Sequence, residues 1–293
     1  MALAASGCGA KKKLLPEGYF KQATADFENG AFPIAIDEYK EMLDQYPFDE
    51  HAEEAELKIA HAQYLAGNLT EAVASLTDFQ RRHPTSPQLP FVGYALGLCY
   101  ARQMGTIDRD QTASQNAHNY FATVAQQYPN SPFAELAREQ LALCRNNLAG
   151  HELYVADFYA HKDNQKAAEY RLLGLLGRYD DTDVAADALT QLARAYRKGN
   201  DPERALLADA ALAQHFPNTK QARSARRRIE KQGQEELLAN DPMPRLLAGV
   251  PQSRDITFSP PVQVPGLDKP DHAPASAAAA QPPSPFGHSG SRY

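Results

Sequence analysis

Tryptophan is absent from the 293 residues, and only three cysteines are present. Three cysteines are too few for the disulfide framework of a small secreted domain, and they leave the redox compartment open. No run of about 18 apolar residues occurs, so no segment has the composition of a membrane-spanning helix. Strand-like alternation of apolar and polar residues is also scarce, which favours an all-helical chain.

The sequence also lacks the features of a nucleic-acid-binding protein or an enzyme. A net charge of −6 gives no general electrostatic reason to bind nucleic acid. The histidines never stand at the helical spacing of a metal pair, and no glycine-rich phosphate loop appears. Asp108 and Asp110 lack the other ligands of a calcium loop and are expected in a loop that caps itself, while Cys99 and Cys144 are expected to be buried. We predict a protein without catalysis, cofactor or metal.

What the sequence does contain is a repeated unit. The segment 29–47 holds a helix break, a small residue and an aromatic-proline stop, and the same order returns at 67–84. Five stops follow one another at intervals of 37, 45, 51 and 37 residues, and in the fourth of them Asp replaces the proline. They are Tyr46-Pro47, His83-Pro84, Tyr128-Pro129, Tyr179-Asp180 and Phe216-Pro217. Such periods indicate stacked helix–turn–helix repeats close to the tetratricopeptide pattern of about 34 residues.

We therefore predict an all-α fold, a right-handed α-solenoid of about five tetratricopeptide-like helix pairs with a C-terminal capping helix. The solenoid covers 17–240, with units at about 17–47, 49–84, 90–129, 131–180 and 183–217 and the capping helix at 219–239. Residues 241–293 contain eleven of the 21 prolines. This composition predicts a disordered tail.

Small residues recur where paired helices should approach closely. The expected pairs are Ala23 with Ala35, Ala60 with Ala72, Ala156 with Ala168, and Ala193 with Ala205. A larger side chain at these places would overpack the contact by about 1–3 kcal/mol. In the fourth unit, one long helix is predicted to run to Lys162. Gly150 interrupts it at a cost of about 1 kcal/mol relative to alanine, which allows a bend.

The two ends of the predicted fold carry further signals. Ser6-Gly7-Cys8 resembles the acylated box at the end of a bacterial lipoprotein signal peptide, so 1–16 is interpreted as a signal-peptide remnant and lipid-anchor linker. The alternative is an ordinary tail with a chance cysteine. The arginine-rich helix at 219–239 either contacts a partner or anionic lipid, or is an exposed polar cap, and the cap is the favoured interpretation.

Residues 17–217 resemble the BamD family (also called ComL or YfiO), the tetratricopeptide lipoproteins of the outer-membrane β-barrel assembly machinery. The similarity is carried by YPFDEHAEEAELKIAHAQYLAG at 46–67, by the proline-rich link at 83–100 and by the inserted loop IDRDQT at 107–112. The most specific segment is 128–182, a long helix ending in Leu-Ala-x-x-Glu-Leu-x-Val-Ala-x-Phe-Tyr and followed by a second helix.

The resemblance implies an outer-membrane lipoprotein that faces the periplasm and is anchored through Cys8. Its implied partners are the POTRA region of BamA, other lipoproteins of the assembly machinery and unfolded outer-membrane β-barrel proteins. In the family, an arginine on the helix after the long helix takes part in docking on BamA, and Arg171 has this position. A planar guanidinium suits a carboxylate partner. The alternative is an arginine that is solvated or paired within its own helix.

The resemblance also implies that the N-terminal repeats hold the targeting strand of unfolded barrel substrates. Phe48 and Tyr64 are candidates for this groove, with packing in the core as the favoured alternative for each. Two competing functions remain open. One is a periplasmic tetratricopeptide scaffold in cell-wall synthesis or division, and the other is a repeat-bearing enzyme. The lack of convergent polar residues counts against the enzyme.

Overall fold

The computed structural model describes residues 14–249. Within this range every regular element is helical. Cys8 and most of the predicted tail, 250–293, lie outside the described residues. The chain divides between Cys99 and Tyr100 into two compact units.

Unit 1 consists of consecutive helices that pack on their neighbours. They are α1 (Pro16–Glu28), α2 (Phe32–Gln45), α3 (Ala52–Leu65), α4 (Leu69–Arg82) and most of α5 (Leu89–Ala101). The helix α2 packs on both α1 and α3, and α3 packs on α4. The core of unit 1 therefore lies between successive helices. Tyr39, Met42 and Phe79 are among its fully buried side chains.

Unit 2 follows the same plan and contains one long helix, α7 (Pro132–His161), of 30 residues. It contains α6 (Thr112–Gln127), α7 (Pro132–His161), α8 (Gln165–Tyr179), α9 (Asp183–Lys198), α10 (Pro202–His215), α11 (Lys220–Lys231), a 3-10 turn (Glu235–Leu238) and α12 (Met243–Leu246). The long helix α7 packs on α6, α8 and α9, and α10 packs on α9, α11 and α12. Leucines of α8 and α9 fill the space between them, including Leu172, Leu175 and Leu189.

The helix ends explain the repeat in the sequence. After each of α1, α3, α7 and α9, one residue takes a left-handed backbone conformation, which ends the helix. These residues are Gly30 (φ 76°), Gly67 (φ 83°), Asp163 (φ 56°) and Asn200 (φ 59°). Glycine adopts this conformation without strain, and Asp and Asn tolerate it better than other side chains. The second helix of these pairs ends instead at the aromatic-proline stops, as at Tyr46 and Phe216.

The alanines predicted at the close approaches are all buried. Each has an exposed fraction of 3% or less. They are Ala23, Ala35, Ala60, Ala72, Ala156, Ala168, Ala193 and Ala205. The all-helical, tetratricopeptide-like fold predicted from the sequence is confirmed.

The C-terminal part departs from the prediction. The helix expected at 219–239 ends at Lys231, because Gly233 has a left-handed φ of 63°, and a 3-10 turn follows. Residues 241–249, assigned to the disordered tail, instead form α12 and a turn. Met243, Leu246 and Leu247 are buried in the core of unit 2. The proline-rich composition of the segment predicted disorder although it contains these three apolar side chains. Pro244 lies in the first turn of α12, where proline is tolerated.

Gly150 serves a close contact inside α7. The helix runs without interruption from Pro132 to His161. A Cβ atom at Gly150 would lie 3.0 Å from Cγ2 of Ile107, in the inserted loop. Glycine is thus needed here because the loop lies directly against the helix.

A buried carboxylate connects three helices of unit 2. Asp209 on α10 is 1% exposed and accepts hydrogen bonds from Nη1 of Arg197 at 2.9 Å and from Nε and Nη2 of Arg228 at 2.9 and 2.6 Å. Arg197 lies on α9 and Arg228 on α11. Removing the carboxylate would leave two guanidinium groups without their shared partner.

We expect the chain truncated after Asn240 to be less stable than the chain truncated after Gly249. The shorter form loses the buried side chains of α12 and its turn, so its free energy of unfolding should fall by about 3 kcal/mol or more. Urea unfolding of the two forms, followed by circular dichroism, measures the difference. Equal midpoints would show that α12 does not stabilise unit 2.

We expect Asp209→Asn to destabilise the protein by about 2–3 kcal/mol, because the neutral amide leaves both arginines unpaired while they remain partly exposed to water. The matched control is Asp187→Asn on α9, an exposed carboxylate. Thermal melting of the two variants beside the unaltered protein measures the effect. Similar melting temperatures for both variants would contradict the structural role of Asp209.

Candidate partner-binding site

The candidate site is built on the pair of helices α7 and α8. Ser131 begins α7, with its hydroxyl accepting a hydrogen bond from the backbone N–H of Phe133 at 3.2 Å, and Pro132 takes the first helical position. After a turn of three residues, the side chain of Asn164 begins α8 by accepting from the N–H of Ala167 at 3.2 Å. Arg171 lies one and a half turns into α8.

Arg171 is paired across the two helices. Its Nη1 donates to Oε2 of Glu152 on α7 at 3.2 Å, and Nη2 of Arg178 donates to the other oxygen, Oε1, at 2.8 Å. The side chain of Glu152 is 13% exposed, whereas those of Arg171 and Arg178 are 40% and 38% exposed. A single largely buried carboxylate thus holds two guanidinium groups at the surface. Arg171 is thus partly accessible, and its pairing partner lies on α7 and not on its own helix, as one of the alternatives had it; its role in docking on BamA stays a prediction.

The end of α8 carries a second set of charges. Arg145 of α7 binds the carboxylate of Asp181 through Nε at 3.1 and 3.2 Å and donates from Nη2 to the carbonyl of Arg178 at 2.7 Å. The guanidinium groups of Arg145 and Arg178 lie 5.3 and 5.5 Å from the ring centroid of Tyr179. Burial raises the pKa of Tyr179, so the ring stays neutral and accepts these cation–π contacts.

The inserted loop at 105–111 is fixed against α7 by one buried side chain. Gln111 donates from Nε2 to the carbonyls of Thr106 and Arg109 at 3.0 and 2.9 Å. Its Oε1 accepts from Ser114 at 3.0 Å and from Asn147 at 3.2 Å. The loop is therefore a built part of unit 2. The predicted self-capping is present too, since Asp110 accepts from the N–H of Thr112 at 2.9 Å, and this bond lowers the pKa of its carboxyl.

A polar cleft of about 240 Å³ opens between this loop and Arg178. It is lined by Asp110, Gln111, Thr112, Gln115, Leu148, His151, Glu152, Arg178 and Tyr179. One nitrogen of His151, Nδ1, lies 2.7 Å from the carbonyl oxygen of Ile107 and ties the helix to the loop. The polar lining of this cleft is suited to a charged or amide side chain of another protein.

The two predicted groove residues have opposite environments. Phe48 lies in the turn between α2 and α3 and is 99% exposed, so the expectation that it packs in the core is wrong. Tyr64 on α3 is 7% exposed and belongs to the core of unit 1. The structure therefore leaves Phe48 as an accessible candidate for substrate contact and corrects the assignment of Tyr64, because a buried ring offers no surface to a substrate.

Cys99 and Cys144 are buried and form no disulfide, as predicted, and burial raises the pKa of Cys144 to about 12. Between residues 14 and 249, no group of three or more His, Cys, Asp or Glu side chains is placed to hold a metal ion. None of the described helices combines the length and apolar character needed to cross a bilayer.

The basic helix α11 buries one face and exposes the other. Ala222, Ala225 and Ile229 are buried towards the rest of unit 2, and Arg228 binds Asp209. Its exposed cations are Lys220, Arg223, Arg226, Arg227 and Lys231. This arrangement fits a polar cap, and it leaves the interpretation as a contact for a partner or lipid open.

Glu152 and Arg178 were missed by the sequence analysis. Two signals could have found them. Glu152 is the glutamate of the specific Leu-Ala-x-x-Glu-Leu segment, and Arg178 follows Arg171 by seven residues, which places both on one face of a helix. Neither signal alone shows that the three side chains meet.

The sequence model of the family described as "YfiO: Outer membrane lipoprotein" matches residues 13–205. Similar curated proteins bear the name "Outer membrane protein assembly factor BamD". The one from Pasteurella multocida is 30% identical over 212 residues, covering 68% of this chain and 82% of that protein. For Xylella fastidiosa (strain 9a5c) the identity is 32% over 190 residues, covering 61% and 65%. For Caulobacter vibrioides it is 28% over 225 residues, covering 74% of each.

The family match spans both helical units, and it includes the inserted loop and the charged surface of α7 and α8. This chain therefore belongs to the YfiO family of outer membrane lipoproteins.

Proposed function

We propose that this protein is a non-catalytic assembly factor of the outer membrane, anchored by lipid at Cys8 and facing the periplasm. The names of its relatives support a role in assembling outer membrane proteins. In this role it docks on the POTRA region of BamA, works beside other lipoproteins of the machinery and holds unfolded β-barrel proteins. Family membership supports the lipid anchor, and the helical repeats supply surfaces for binding rather than for chemistry.

The observation that carries the docking proposal is the accessibility of Arg171. Its guanidinium is 40% exposed and is held in place by Glu152. An arginine that is both exposed and fixed can bind a carboxylate of a partner without first losing much conformational freedom. BamA docking through this residue is therefore consistent with its geometry.

Substrate holding is proposed for unit 1, because its Phe48 is more exposed than any other large apolar side chain among the described residues. Leu15, Ile34 and Phe48 are 76%, 55% and 99% exposed. Unfolded β-barrel strands present apolar side chains on alternate positions, which such residues can contact. Phe48 is the strongest candidate, since nearly its whole ring is accessible.

We expect Arg171→Glu to reduce capture of BamA by the tagged protein from detergent-solubilised outer membranes by about tenfold, because the variant opposes like charges at the contact. The matched control is Arg138→Glu, on α7, where an arginine of similar exposure (47%) pairs with Glu135 of its own helix. Quantitative blotting of BamA measures the difference, and circular dichroism verifies folding.

Two outcomes would count against the docking proposal. Equal capture by the folded Arg171→Glu variant would exclude this residue as a contact. Absence of BamA even with the unaltered protein would move a periplasmic scaffold of cell-wall synthesis or division to first place.

We expect Cys8→Ser to release the full-length protein from membranes, because serine has no sulfur atom to form the thioether that joins bacterial lipoproteins to their lipid. Cell fractionation and metabolic labelling with palmitate measure the effect. Cys99→Ala, which keeps Cys8, is the control. Membrane retention of the Cys8→Ser variant equal to that of the control would contradict the anchor.

A further inference from the structure

The feature that the proposed function leaves unexplained is the outer surface of α11. Six of the 12 residues of this helix are lysine or arginine, and Glu230 is its one acidic residue. We infer that this surface binds the anionic phospholipid headgroups of a membrane. The binding residues, which we call the cationic stripe, are Lys220, Arg223, Arg227 and Lys231. The match to the family model ends at residue 205, before α11 begins, so family membership does not account for these charges.

The cationic stripe lies opposite the buried face of α11. Ala222, Ala225 and Ile229 are buried towards the rest of unit 2. The four cations follow one another at intervals of three, four and four residues, and at about 3.6 residues per turn this spacing places them on one face. All four are exposed. The stripe is about 16 Å long, because each residue of a helix rises by about 1.5 Å. The cations therefore form one continuous line at the surface.

The side chains of the cationic stripe have no carboxylate partner. Several other arginines of unit 2 bind a carboxylate, and one of them, Arg228, lies on α11 itself and binds Asp209. Between residues 14 and 249, no ion pair is found for any of the four cations of the stripe. Ion pairing in α11 is thus confined to Arg228, which faces α10, and the outer charges remain available to a ligand.

The cationic stripe is unfavourable for the stability of α11 itself. Like charges three or four residues apart on a helix repel each other. Lys220 and Arg223 lie near the N-terminus of α11, where the positive end of the helix dipole disfavours cations, and the first turn contains no acidic residue. A polar cap needs exposed polar side chains, but it does not need charges of one sign. Capping therefore does not explain why all four residues are cations.

Two observations favour a membrane over an acidic protein as the ligand. Protein interfaces are anchored by large apolar or aromatic side chains at their centre, and none of the exposed large apolar side chains of the described residues lies on α11. Clusters of about four to eight lysines and arginines, in contrast, bind anionic headgroups through charge alone. In addition, the chain belongs to a family of outer membrane lipoproteins, so a membrane surface is within its reach.

The distribution of charge between the two units supports the same ligand. Residues 14–99 contain 14 acidic and 5 basic residues, whereas residues 100–249 contain 19 of each kind. An anionic surface therefore repels unit 1 as a whole. Unit 2 is neutral overall, and the excess of positive charge on α11 makes this helix a place where attraction to an anionic surface exceeds repulsion.

The test measures binding of the full chain to vesicles, with Cys8→Ser in every arm so that an acyl chain does not contribute. One set of vesicles consists of phosphatidylcholine, and the other contains about one third phosphatidylglycerol, an anionic lipid. Sedimentation of the vesicles gives the partition coefficient of the protein. We expect binding to the anionic vesicles only, and weaker binding at higher salt, because salt screens the attraction between exposed charges.

The decisive variant replaces all four cations of the cationic stripe with glutamine. Each basic residue near an anionic surface strengthens binding by about fivefold, so we expect the partition coefficient to fall by about tenfold or more. The matched control removes two lysines and two arginines from exposed positions on four other helices and should lose much less binding. Its substitutions are Lys21→Gln, Lys40→Gln, Arg81→Gln and Arg138→Gln. Arg227→Gln alone is expected to weaken binding by about fivefold, and it supplies the test if the fourfold variant does not fold.

Melting followed by circular dichroism separates binding from capping. We expect the stripe variant to melt at the same temperature as the parent or higher, because like charges are removed from one face of α11. A lower melting temperature with unchanged vesicle binding would overturn the proposal and leave capping as the role of the stripe. Equal losses of binding by the stripe variant and the control would overturn it as well, since net charge alone would then explain the effect.

The lipid dependence provides the last criterion. If the parent does not bind vesicles that contain phosphatidylglycerol, or binds phosphatidylcholine equally well, the proposal is overturned and an acidic protein surface becomes the candidate ligand of α11. None of these measurements involves BamA, so the proposed docking function stands or falls separately.

Discussion

Close packing of helices through alanine determines where the longer side chains of both units lie. Where Ala156 meets the helix that carries Ala168, α7 and α8 can approach to a short interaxial distance, and side chains one turn away are brought within contact range. Glu152 lies one turn before Ala156, and Arg171 lies about one turn after Ala168. Their ion pair is thus a consequence of the alanine contact and not an independent feature of the surface.

A small residue also allows a close approach where the inserted loop meets α7. Gly150 removes a side chain that would lie 3.0 Å from Ile107, and the loop can then reach the helix. The side chain of Gln111 lies beneath the loop. Its amide nitrogen donates to loop carbonyls, and its amide oxygen accepts from Ser114. Ordering the residues of this loop costs conformational entropy, and the buried hydrogen bonds of Gln111 offset that cost. The polar cleft beside Arg178 therefore has walls of fixed geometry.

Helix ends and buried positions could be predicted from the sequence, because they depend on local residue type and spacing. Contacts between side chains of different helices could not, because they depend on how the helices cross. Helix ends at Gly30 and Gly67, the buried alanines and the buried Cys144 all follow from residue type and spacing. The meeting of Glu152 with Arg178 joins residues 26 positions apart on two helices, and periodicity alone does not set their relative rotation. Phe48 is a predicted groove residue for which packing in the core was the favoured alternative, but in the turn after α2 its side chain is exposed. The burial of Met243 was not predicted, because the proline content of the segment indicated disorder. Composition describes a whole segment and does not show which of its side chains make contacts.

The two three-charge clusters of unit 2 have different physical roles. Asp209 connects α9 and α10 with α11, a helix whose buried face consists of Ala222, Ala225 and Ile229, so its hydrogen bonds hold an element with little apolar surface to bury. Glu152 instead joins α7 to α8, which already share the leucines of a continuous core. Partly exposed ion pairs contribute only about 0–1 kcal/mol to stability. The ion pairs of Glu152 therefore add little to the stability of a helix pair that its apolar core already holds together.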